Sequence, residues 1–158
     1  MTCGKCEGNE IDDYTKENLR QLDSAIEAGK KVLDCLVQAQ QQLDVIHTEG
    51  IFDRISQGIF RRIMWNPKRI DEANQTIQKA KDLLIVFRRE LRYIEVSSQL
   101  KIEIEGFVTF ADFFFDSLLA DWYVQSRLKK SSEEVEDAMR QISDILEKLY
   151  AMKAEKYS

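Results

Sequence analysis

Near the start of the chain, Cys3-Gly-Lys-Cys6 has the C-x-x-C spacing that holds one side of a tetrahedral zinc ion. A structural zinc site needs four ligands. The other sulfur and nitrogen donors are one cysteine, Cys35, and one histidine, His47, and both fall within a helical pattern. Cys3 and Cys6 are therefore a metal candidate only as half of a site completed by a second subunit. Otherwise they are reduced thiols in a polar tail. Asp112 and Asp116 are spaced i,i+4, which places two carboxylates together on one helix face. That face lies opposite the apolar stripe, where the pair is solvated or meets the Arg88–Arg92 cluster. A single histidine cannot supply the two Glu-x-x-His motifs of a di-iron bundle. No glycine-rich phosphate loop or nucleophile elbow occurs. The expectation is a protein that is not an enzyme and carries no cofactor.

Gln40, His47 and Asp121 interrupt otherwise apolar helical stripes, and Asn74 and Gln125 fall at similar depths. In an antiparallel bundle, Gln40, Asn74 and Asp121 share a layer roughly 10–12 Å from one end at 1.5 Å per residue. His47 and Gln125 fall nearer that end. A carboxylate at such depth must be hydrogen-bonded, hydrated or protonated. Two readings follow. The layer fixes helix register, as a buried Asn does in coiled coils, or it binds a small ligand.

The elements that position these residues are helices. From about Thr15 to Thr48, Leu19, Leu22, Ile26, Gly29, Leu33, Leu36, Gln40, Leu43 and His47 recur at 3-4 spacing. Asn66-Pro67 supplies an N-cap and a first helical residue. Ile70, Ala73, Ile77, Ala80, Leu84, Phe87, Leu91 and Ile94 then repeat the spacing. Leu100, Ile102 and Ile104 alternate with charges, which predicts an extended connection over 97–105. Five of the eight phenylalanines lie between Phe107 and Phe115, and the stripe Phe107, Phe110, Ala111, Phe114, Phe115, Leu118, Trp122 predicts the most buried helix. Ser131 and Glu134 form a capping box before Val135, Ala138, Ile142, Ile145, Leu149 and Met152. The fold class is all-α: one domain over 1–158, an antiparallel up-down-up-down four-helix bundle with long helices. Residues 1–13 read as a flexible tail and 49–66 as a short amphipathic cap between the first two helices.

Composition agrees. The chain has 158 residues, one proline, six glycines and 32% charged residues. Its net charge of −5 is patterned. Residues 1–53 hold 5 basic and 11 acidic residues, 54–92 hold 10 and 4, and 93–158 hold 8 and 13. Acidic and basic helices neutralise one another when they pack. The segment Gly106–Val124 carries three aspartates, each costing about 2.5–3.5 kcal/mol at mid-bilayer, so no membrane span is expected. The polar N-terminus is no signal peptide, and three cysteines are no disulfide framework, which implies a reducing cytoplasm.

Two stretches, RIDEANQTIQKAKDLLIVFRREL from Arg69 to Leu91 and EGFVTFADFFFDSLLADWYVQSRL from Glu105 to Leu128, resemble a family of uncharacterised helical proteins from Gram-positive bacteria. The resemblance implies a bacterial cytoplasmic protein and brings no activity or site residues with it.

The leading expectation is an interaction or assembly module. Its first two helices overhang the others, so the stripes at Leu19, Leu22, Leu91 and Ile94 predict a homodimer, the N-terminal tail or the 97–105 connection being the alternative cover, and a protein partner is a further expectation. A ligand-binding bundle with the polar layer is the second expectation. The third is a membrane-surface or nucleic-acid contact through residues 51–69, with Arg54, Arg61, Arg62 and Trp65 as its surface. Nucleic acid is the weaker fit for an acidic chain.

Overall fold

A computed structural model describes the backbone of residues 4–55, 67–94, 96–121 and 128–157, and side chains over 13, 15–45, 68–94, 96–117 and 130–155. Among these residues the chain is all-helical. It forms α1 (Gly4–Ile55), α2 (Pro67–Arg92), α3 (Ser98–Asp121) and α4 (Leu128–Tyr157). Their packing is that of a helix bundle: α1 packs on α2 and α4, and α3 packs on α4 and more thinly on α2. No helix among the described residues is long and apolar enough to cross a membrane.

The 3-4 stripes form the core. On α2, Ile70, Ala73, Ile77, Ala80, Leu84, Phe87 and Leu91 are all buried, and on α4 so are Val135, Ala138, Ile142, Ile145, Leu146 and Leu149. On α1 the buried set runs from Leu22 to Leu43 and is rich in small residues: Ala25, Ala28, Gly29 and Ala39. A Cβ built on Gly29 would lie 2.7 Å from Leu146 Cδ2 and 2.9 Å from Phe87 Cε2. The missing side chain is what lets α2 and α4 both close on α1.

Three boundaries differ from the sequence reading. First, α1 is helical from Gly4, so the 1–13 segment is not a tail from that residue on. Its polar residues carry no helix breaker strong enough to stop the helix. The same helix runs on to Ile55 and takes up 49–55 of the expected cap. Residues 56–66 lie outside the described set.

Second, 97–105 is not extended. Ser97 caps α3: its Oγ accepts the Leu100 N–H at 3.3 Å and its carbonyl accepts the Lys101 N–H at 2.9 Å. The apolar residues there continue a 4-3-4-3 register, Leu100, Ile104, Phe107, Ala111, Phe114. The apparent alternation came from Ile102, which points outward and is 69% exposed.

Third, α4 begins at Leu128, so Ser131 is inside the first turn rather than a cap. It is fully buried.

Two consequences follow. The overhang argument for a dimer loses Leu22 and Leu91, because α3 starts early and α4 reaches Tyr157, while Leu19 and Ile94 are half-buried. Leu22 and Leu91 are buried within the chain at 2% and 4% exposure. Also, α3 is not the helix around which the others gather. That place belongs to α1, whose small residues admit neighbours on two sides, while α3 leaves Phe113 74% exposed.

Gly29→Ala sets helix propensity, worth about 1 kcal/mol in its favour, against overpacking of a rigid buried ring, typically about 1–3 kcal/mol. The expected net is a loss of about 1 kcal/mol in urea unfolding. In a Leu146→Ala background, which alone costs about 2–5 kcal/mol, Gly29→Ala should become neutral or stabilising. Additive losses in the double variant would contradict this contact.

Candidate functional site

Of the five polar positions expected to form a layer, two have described side chains. Gln40 is half-buried on α1 and donates from Nε2 to Glu136 Oε1 on α4 at 2.8 Å. Asn74 is half-buried on α2. His47 and Asp121 lie in α1 and α3, but their side chains are outside the described residues, as is the whole of Gln125. The partner that Gln40 finds is thus Glu136, a residue the sequence reading did not single out. Two further polar atoms are buried without a hydrogen-bond partner among the described residues, Gln42 Oε1 and Ser131 Oγ. Neither was legible: Gln42 is off the 3-4 stripe, and Ser131 resembles a cap.

Cys3 lies outside the described residues, and Cys6 is in the first turn of α1 with its side chain outside them. Among the described residues, no group of three or more His, Cys, Asp or Glu converges. Arg54 is in the last turn of α1 with its side chain outside the described set, and Arg61, Arg62 and Trp65 lie outside it altogether.

Cys35 occupies the α1–α2 seam, where it is buried and its thiol donates to the Thr76 carbonyl at 3.2 Å. Thr76 in turn donates from Oγ1 to the Glu72 carbonyl at 3.0 Å. Burial pushes the Cys35 thiol above its ordinary range, against a smaller opposing pull from Lys79. On the far side of α1, Lys30 stands 5.7 Å from the centre of the Tyr150 ring. A hydrogen bond with Tyr150 and its charge raise the Lys30 ammonium.

The most unusual surface belongs to α3. Ile102 and Phe113 are 69% and 74% exposed, and a Cβ on Gly106 between them would meet nothing within 4 Å. Thr109, exposed on the same line, turns its hydroxyl back to the Glu105 carbonyl at 3.0 Å. At 4-3-4 spacing, Ile102, Gly106, Thr109 and Phe113 share one face of the helix. On α2, Ile85 is 57% exposed. Asp112 and Asp116 meet α2 cations, of which only Arg88 belongs to the cluster that the sequence offered as an alternative to solvation. Arg88 bonds Asp112 at 2.6 Å and Lys81 approaches Asp116 to 3.6 Å. On the α4 side, Lys148 pairs with Glu103.

The Cys35 thiol gives a pH test. Its folded pKa is raised, so the folded chain keeps a proton that the unfolded chain loses. That stabilisation is complete below the ordinary thiol value of 9.0 and is lost as pH rises through the higher folded value. Urea midpoints should therefore fall more steeply above about pH 9 in the wild type than in Cys35→Ala. Parallel curves for the two would show that the thiol is not held protonated.

No family model matches the chain, and neither a curated protein nor a solved structure matches it.

Proposed function

We propose that this chain is a non-enzymatic assembly module, an up-down-up-down antiparallel bundle that pairs with a second copy of itself through the outer face of α3. The antiparallel part is supported by the order of contacts. Along α1 and α2, Gly29 meets Phe87 and Cys35 meets Thr76. Along α1 and α4, Asp23 meets Lys153 and Gln40 meets Glu136. Along α2 and α3, Lys81 meets Asp116 and Arg88 meets Asp112. In each pair, the numbers rise on one helix as they fall on the other.

The observation that carries the assembly reading is the exposure of Phe113 and Ile102 on either side of an open Gly106. Ile102 and Phe113 flank the exposed Gly106 and Thr109 along one line of the helix face, and exposed apolar groups rimmed by polar residues mark contact surfaces. This line has a further property. Its spacing, Ile-x3-Gly-x2-Thr-x3-Phe, reads the same in both directions. A two-fold axis between two antiparallel copies of α3 sets Ile102 against Phe113 of the other copy, and Gly106 against Thr109. Small residues then meet at the crossing, where backbones must approach, and large ones meet at the ends. The nearby charges of Arg88, Asp112, Lys148 and Glu103 are neutralised within each copy and do not oppose the contact. A reducing cytoplasm is the compartment this reading assumes, supported by the free, buried Cys35.

Light scattering at high micromolar concentration should show a dimer for the wild type and monomers for Phe113→Glu and Ile102→Glu. Gly106→Leu separates pairing from folding. At an exposed helix position it should raise monomer stability by about 0.5–1 kcal/mol while abolishing the dimer. A monomeric wild type, or a Gly106→Leu variant that still pairs, would overturn the proposal.

A further inference from the structure

A groove of about 780 Å³ runs between the end of α2 and the start of α3. Its volume lies within the ordinary range for small-molecule sites, about 300–1,000 Å³. The apolar lining is Leu91, Ile94, Val96, Ile104 and Val108. All but Leu91 are only half-buried, so the chain leaves this surface incompletely covered. The charged lining is Arg88, Arg92, Lys101 and Glu105, three cations and one anion on a chain whose net charge is −5. Arg88 is committed to Asp112. Arg92 and Lys101 are exposed and have no ion-pair partner among the described residues.

We propose that this groove binds a free single-chain amphiphile with a carboxylate head, its acyl chain on the aliphatic floor and its carboxylate at Arg92 and Lys101. The inference does not depend on the pairing of α3, whose line shares only Thr109 with the groove. Two arguments select this occupant. From Lys101 to Thr109 the groove follows eight residues of α3, about 12 Å. Along that run the lining is aliphatic at Ile104 and Val108, which suits an acyl chain laid lengthwise. The second argument is charge complementarity. Arg92 and Lys101 outweigh the one anion of the lining, Glu105, a turn along from Lys101, so a carboxylate head meets net positive charge and accepts charge-assisted hydrogen bonds from both cations. The helix ends bracket the same place. The C-terminus of α2 is partly negative and the N-terminus of α3 partly positive, and their effects offset, so the side chains decide the sign.

Dodecanoate, used below its micelle concentration, and dodecanol of the same chain length form the test in titration calorimetry. Dodecanoate should bind with micromolar affinity, and dodecanol about tenfold more weakly or worse. Arg92→Gln/Lys101→Gln changes two exposed residues and should leave folding intact. It should bring dodecanoate down to the affinity of dodecanol without changing dodecanol itself. Phe113→Glu should bind dodecanoate as the wild type does, which keeps the outcome independent of the dimer. Equal affinity for acid and alcohol, no binding of dodecanoate, or undiminished binding by the double variant would each overturn the proposal. So would cosedimentation with phosphatidylglycerol vesicles that the double variant abolishes, since the cations would then serve a bilayer surface.

Discussion

Phe87 and Leu146 meet over Gly29, and the spacing of three helices depends on that contact. The site is bare because a glycine occupies it, and it is extended by Ala25, Ala28 and Ala39 on the same helix. Interaxial distances of about 8–10 Å follow the size of the side chains at the crossing. A helix that offers small residues in two directions can hold two neighbours close. In this chain those neighbours are α2 and α4. Each then presents its own branched or aromatic stripe inward, and the core fills.

The position of α3 follows. With α2 and α4 drawn against α1, the aromatic helix completes the bundle from outside, touching α4 and, more thinly, α2. It buries what one face can take. Phe107 meets Phe87 edge-on at 6.2 Å, Phe115 meets Phe114 at 4.8 Å, and Phe110 stacks on Phe114 at 5.4 Å. Such ring pairs add about 0.5–1.5 kcal/mol each beyond area burial. But α3 carries apolar residues on more of its circumference than its two neighbours cover. Phe113 and Ile102 are the excess, and an excess of this kind at the periphery is available to another molecule.

The sequence carried the stripes of α2 and α4 almost residue by residue, because 3-4 spacing with alanines and branched residues has one helical interpretation. It also carried the start of α2 at Pro67 and left open, between solvation and the Arg88 cluster, where Asp112 would go; the bond to Arg88 decides it. What it did not carry were rank and boundary. Aromatic density made α3 look central, yet centrality was decided by small residues on α1, which a count of large apolar groups undervalues. The 97–105 alternation and the Ser131 box were local patterns overridden by longer ones. The 4-3-4-3 register through Leu100 and Ile104 outweighed one, and the extension of α4 back to Leu128 the other. Of the candidate polar layer only Gln40 and Asn74 can be placed by their side chains, and the bond from Gln40 to Glu136 depends on helix-to-helix register, which no single helix encodes.

Electrostatics completes the account of why the α2–α3 seam is closed in one part and open in another. Lys81 and Arg88 are seven residues apart on α2, about 10.5 Å, while Asp116 and Asp112 are four apart on α3, about 6 Å. Both pairs cannot be equally tight. The short one, at 2.6 Å, is Arg88 with Asp112, and the stretched one, at 3.6 Å, is Lys81 with Asp116. Exposed pairs contribute only about 0–1 kcal/mol each, so they do not hold the seam alone. Next to the tighter pair, the ring contact of Phe87 with Phe107 ties the helices in apolar fashion. Beyond that tie, toward the turn at 93–97, neither aromatic ring nor ion pair among the described residues joins α2 to α3. The aliphatic residues there are too short to close the gap left by a crossing fixed further along. The groove is therefore a consequence of where the tie falls, with Arg92 at the end of α2 and Lys101 at the start of α3 left beside it.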